Sequence, residues 1–158
     1  KALQAPFFGT CGITRLIFRR TQAKSKRHPG PSYQFKVWMH HGTNTQVASP
    51  RNLLYQLKAS FPDCGLFLYG HTSQLGNWKM SGLDVNNNGK VISSQYGIQL
   101  TGGWMAGYLQ GSTDGMGNPE GSYVEKRRLP PAALGAPLIS IIPKHHKDYD
   151  ELELRMES

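Results

Sequence analysis

Between Tyr33 and Tyr69 the sequence spells strand, helix and strand in close succession, and no other stretch limits the fold so tightly. Tyr33 to Met39 is β-branched and aromatic, and it ends abruptly at His40-His41-Gly42. A polar, turn-prone stretch from Thr43 to Ser49 follows. Ser49 then suits an N-cap and Pro50 the first turn of a helix. Leu53, Leu54, Leu57 and Phe61 fall at helical spacing, so residues 50–60 read as an amphipathic helix with one buried stripe, stopped by Pro62-Asp63. Gly65 to Tyr69 is a short apolar run of the kind buried in a sheet, and it stops at Gly70-His71-Thr72. Strand, helix and strand within about 35 residues make a βαβ unit. In open α/β sheets ligands gather outside the carboxyl ends of the strands. His40 and His71 both stand there.

The remaining elements read as additions to that unit. Ile13 to Arg19 alternates as a strand. Trp78 to Val85 and Lys90 to Leu100 flank Asn86-Asn87-Asn88-Gly89, a strong hairpin signal. Seven glycines between Gly102 and Gly121 predict irregular chain. Leu138 to Ile142 is a last strand, and the mixed-charge residues 144–158 read as a tail, either a frayed edge strand or disordered. At 158 residues the chain suits one domain. The reading is a layered α/β unit with a mixed sheet and an antiparallel C-terminal extension.

Charge and cysteine content bound the partners. A net charge of +8 favours anions: phosphate esters, nucleotides or nucleic acid. Much of the excess is local, in Arg15, Arg19, Arg20, Lys24, Lys26, Arg27 and His28, and again in Lys126, Arg127 and Arg128. The first cluster lacks the interleaved aromatics that base stacking uses, so a solvated basic loop competes with a nucleic-acid patch. Cys11 and Cys64 follow no paired spacing and read as reduced, buried thiols of a cytoplasmic protein. No stretch approaches the roughly 18 consecutive apolar residues of a membrane helix, so no membrane partner is expected.

Neutral imidazole is a common ligand for divalent transition metals, and a strand end holds it rigidly. Gly42 and Gly70 beside the histidines let the backbone turn sharply. For either histidine alone a strand cap or a loop hydrogen bond is the favoured account, whereas for the two together, at adjacent strand ends, ligation weighs equally with it. Val37-Trp38-Met39-His40-His41-Gly42 followed by Leu66-Phe67-Leu68-Tyr69-Gly70-His71-Thr72 resembles the last two motifs of calcineurin-like metallophosphoesterases. Gly9 to Leu16, and Tyr123 through Pro137, resemble flanking segments of phage and bacterial members. The resemblance implies the C-terminal half of a layered α/β/β/α sandwich over residues 1–143, with 144–158 as a charged tail.

It further implies His40 and His71 as metal ligands and His41 as a residue facing substrate. Manganese, iron, zinc or nickel would be the cofactor and a phosphate mono- or diester the substrate. The chain departs from the motif at Ser73, which stands where a second histidine is expected, and a serine hydroxyl replaces imidazole poorly on a transition metal. The carboxylate motifs of the resembled family would lie before residue 1. The expectation is therefore a fragment that is inactive or nearly so alone, and a missing N-terminal half becomes a partner. Such a half-fold should leave apolar sheet surface uncovered. The competing function is a non-catalytic, basic remnant that binds a partner or nucleic acid. Asp84-x-Asn86-x-Asn88-Gly89 imitates half a calcium loop, but Gln95 replaces the closing glutamate and the flanks read as strands. His145-His146 reads as a surface pair. Asp63 reads either as a helix stop or as a group that orients a histidine.

Overall fold

The computed structural model describes residues 9–19, 32–43, 47–85, 89–103, 108, 111, 113–121, 123–128, 131–145 and 150–157. Among these, a five-stranded sheet runs in the order β1-β2-β3-β5-β4. Its strands are β1 (Cys11–Arg19), β2 (Ser32–His40), β3 (Cys64–Tyr69), β4 (Leu75–Val85) and β5 (Val91–Thr101). Strands β2, β3 and β5 are parallel neighbours, and β1 and β4 flank them antiparallel. Helix α1 (Pro50–Ser60) is the crossover from β2 to β3. Ser49 caps it by accepting from the Asn52 amide at 3.3 Å, and Pro50 opens it, as the sequence predicts.

Each strand sends alternate side chains to opposite faces. On one face Trp38, Cys64, Phe67, Ile98 and Leu100 form a buried cluster beneath Leu54 of α1. Leu53, Leu57 and Phe61 complete the helical stripe. On the other face Phe35, Val37 and Leu66 pack against Leu152 and Leu154. Those leucines belong to a second sheet, the hairpin of β6 (Leu138–His145) and β7 (Asp150–Glu157).

This corrects the expected architecture. The described residues make a β-rich domain of seven strands, with α1 the one helix longer than a single turn, and not half of an α/β/β/α sandwich. After Gly121 the described helix is only α2 (Tyr123–Lys126), so no helical layer covers the second face. A hairpin covers it because Ile139 and Ile141 of β6, and Leu152, Leu154 and Met156 of β7, recur with the period of a strand and pack on that face. The segment 144–158 read as a tail therefore contributes β7, whose Leu154 is 1% exposed. Its charges face outward: Glu153 meets Arg155 at 2.8 Å and Lys144 at 2.7 Å. These two cations hold the Glu153 carboxyl at a pKa of about 2.

Among the described residues the exposed large hydrophobics include Leu83 and Val85 of β4, Val91 of β5 and Met116. Ile13 and Ile17 of β1 lie on the α1 face, opposite Trp38 and Gln34, and are 44% and 46% exposed. Strands β4 and β5 pair from Leu75↔Thr101 to Val85↔Val91, the antiparallel pair that the sequence predicts; residues 86–88 of the turn lie outside the described residues. Cys64 is buried as expected and burial raises its thiol pKa, whereas Cys11 is exposed at the start of an edge strand. Among the described residues no helix is long and apolar enough to cross a membrane.

Candidate functional site

Parallel pairing in the register His40↔Tyr69 brings the carboxyl ends of β2 and β3 level. The two following turns then meet backbone to backbone. Gly70 donates its amide to the His40 carbonyl at 3.0 Å, and His41 donates to the Thr10 carbonyl at 2.8 Å. Gly42 has φ of 92°, and a Cβ there would sit 1.8 Å from the Gly70 oxygen. Only glycine fits that approach.

The result places His41 and His71 side by side. Their ring centroids are 4.7 Å apart with 32° between planes, and both residues are exposed. His71 holds φ of 46°, in the left-handed region that side chains other than glycine rarely adopt. Such strain is concentrated at functional turns.

His40 has a different setting. Alternation puts it on the same face as Trp38, and its ring stacks between Trp38 at 5.4 Å and Tyr69 at 5.5 Å, each within 10° of parallel. Its Nδ1 accepts the Gly42 amide at 2.7 Å. A neutral imidazole that accepts at Nδ1 carries its proton on Nε2. In this geometry neither nitrogen offers a free lone pair, and metal ligation by His40 requires release of the Gly42 bond. The structure thus joins His71 to His41 and holds His40 in an aromatic stack.

The turn after His71 is anchored from two sides. The Thr72 hydroxyl, buried, accepts the Gln74 amide at 2.9 Å, and the Gln74 side chain accepts the Val47 amide at 2.7 Å. The Ser73 carbonyl accepts the Ala133 amide at 2.8 Å, which ties the segment Pro131 to Leu134 to the same turn. Among the described residues no group of three or more His, Cys, Asp or Glu side chains converges as a metal cluster.

Other expectations resolve elsewhere in the fold. Asp63 pairs with Lys36 at 2.9 Å at the opposite end of the sheet, and that partner lowers its carboxyl pKa. Asp84 lies in β4 and accepts the Val85 amide at 2.7 Å, so the calcium-like run belongs to the β4–β5 pair. His145 ends β6, and His146 lies outside the described residues. Arg20 through His28 of the basic cluster also lie outside them. Lys126 pairs with Glu120. Sequence reasoning missed the stack around His40. The signal was present in the i, i+2 spacing of Trp38 and His40 on a strand.

No protein-family model, no curated protein and no solved structure matches this chain.

Proposed function

We propose that the turns after β2 and β3 form a divalent-metal half-site for phosphoester hydrolysis, with His41 and His71 as paired ligands. The observation that carries this reading is the 4.7 Å approach of their exposed rings. Two imidazoles at that separation can each point a nitrogen at one cation, and manganese, iron, zinc and nickel all accept imidazole. A cation held there would supply Lewis-acid activation of a phosphoryl group and of water. The chain's own part is to fix the two ligands. Gly42 and Gly70 set the spacing of the turns, and the Thr72–Gln74–Val47 bonds hold the second turn against the entry to α1.

His40 supports the first turn from within its stack, and it becomes a third ligand only if Gly42 lets go of its Nδ1. The resemblance of the two strand-end motifs to metallophosphoesterases favours a phosphate mono- or diester as substrate. Ser73 adds no strong ligand, and carboxylates for a second metal would have to come from another segment or chain. Turnover by these residues alone is therefore slow.

The test is hydrolysis of bis(p-nitrophenyl) phosphate by the full chain with manganese or zinc. Weak, metal-dependent release of p-nitrophenol above the metal-only background, lost in His71→Ala, is expected. Equal rates for the wild type and His71→Ala would contradict the proposal.

A further inference from the structure

At the end of the sheet away from the histidines, one strand starts late. β3 begins at Cys64, beside Lys36 of β2, and it joins β5 only at Gly97. Below that level Gln34 and Phe35 of β2 and Ser94, Gln95 and Tyr96 of β5 line an opening of about 500 Å³. Strands that share one neighbour stand about 9.5 Å apart, twice the pairing distance. The opening is therefore one strand wide. Burial changes at the same level: residues 97–100 of β5 are buried, and residues 91–96 are not.

Both walls offer backbone. Residues 92–96 of β5 pair with residues 80–84 of β4 on one side, and on the other they meet no strand among the described residues. Alternate residues of a strand turn their N–H and C=O to opposite sides, so this run presents a row of donors and acceptors to the gap. One of Gln34 and Phe35 must do the same from the wall of β2. Such rows match the backbone of another extended chain. The outer edges of β1 and β4 offer one wall of this kind, and the gap offers two.

The two faces of the gap differ in chemistry. Phe35 packs in the cluster under the β6–β7 hairpin, and Tyr96 against the cluster under α1. Lys58 Nζ stands 4.9 Å from the centre of the Tyr96 ring and donates to the carbonyls of Pro62 and, at 3.1 Å, of Cys64. Lys36 is neutralised by Asp63 at 2.9 Å. Lys58 has no carboxylate within ion-pair distance among the described residues, and Asp84 and Asp63 act on it only from further away. Burial lowers its pKa, as expected of a cation short of a counter-charge.

We propose that this gap takes up an extended peptide as an added strand, with apolar side chains toward Phe35 and an acidic side chain toward Lys58. The backbone rows select a polypeptide, the Phe35 side selects apolar residues at every second position, and Lys58 selects the acid. The proposal is independent of the metal reading, because His41 and His71 follow the opposite ends of β2 and β3.

The experiment titrates the full chain with a blocked peptide of alternating valine and threonine that carries glutamate in place of its central threonine. Saturable NMR shifts at the amides of Gln34, Phe35, Ser94, Gln95 and Tyr96 are expected, with slower amide exchange across residues 92–96. The fully N-methylated peptide, which cannot donate, should produce neither. Ser94→Trp and Gln34→Trp fill the gap from opposite walls, and each should weaken the apparent affinity by at least about tenfold. Glutamine in place of the glutamate should weaken it about fivefold, and Lys58→Met should remove that difference. Absence of shifts, equal binding of the N-methylated peptide, or undiminished affinity in both tryptophan variants would overturn the proposal. So would shifts confined to β1 and β4, which would place the peptide on the outer edges, or a glutamate preference that survives Lys58→Met.

Discussion

Gly42 and Gly70 touch backbone to backbone: a Cβ on Gly42 would fall 1.8 Å from the Gly70 carbonyl oxygen. That contact couples the ends of β2 and β3, and the meeting of His41 with His71 depends on it. Gly42→Ala must push the turns apart and also strains a residue at φ of 92°. It should cost at least about 1 kcal/mol in urea unfolding and reduce transition-metal affinity. Unchanged stability and affinity would show that the two turns are not coupled in this way.

Helix α1 owes its position to one side chain above all. Leu54 has no exposed surface and sits over Trp38, Phe67 and Ile98, whereas its neighbour Tyr55 is 42% exposed. Leu54→Ala should lower unfolding stability by about 2–5 kcal/mol, and Tyr55→Ala by less than about 1 kcal/mol. Comparable losses at the two positions would mean that the helix does not pack by this face.

The β6–β7 hairpin depends on Gly97. A Cβ there would meet the Met156 sulfur at 2.6 Å and Leu154 Cδ2 at 3.1 Å. Gly97→Ala should therefore lift the hairpin from β5, read as faster amide exchange across residues 152–156. Adding Met156→Ala should restore part of the protection, because it removes the nearest obstacle.

Acid should loosen the same hairpin. Glu153 is held at a pKa of about 2 against an ordinary 4.5 by Arg155 and Lys144. A carboxyl lowered in the folded state stabilises above its unfolded pKa, and that contribution fades as pH falls through the folded value. Hairpin protection should thus decline between about pH 4.5 and about pH 2 in the wild type. Glu153→Gln should flatten that decline, which amide exchange across the acid range would show.

The β2–α1–β3 unit was legible because each of its signals is local. Ser49 caps, Pro50 starts and the leucine stripe faces the sheet, all within one helix. The hairpin was harder to read. The alternation of Leu152, Leu154 and Met156 with Glu151, Glu153 and Arg155 is plain in the sequence, but its charge density suggested a tail. What makes it a strand is tertiary: the apolar set has Phe35, Val37 and Leu66 to cover. For the site, the strand ends fixed where the histidines gather but not which two meet. His40 is committed by strand alternation to the face of Trp38, while His41 and His71 lie beyond the last pair of each strand. Their approach depends on backbone angles, φ of 92° at Gly42 and 46° at His71, that no periodicity encodes.

Calorimetric titration of the full chain with nickel or zinc tests the central claim most directly. The His41–His71 account predicts one site per chain, weakened by at least about tenfold in His41→Ala and again in His71→Ala, with His40→Phe retaining most of the affinity. Wild-type affinity in both His41→Ala and His71→Ala, or no binding by the wild type, would contradict it.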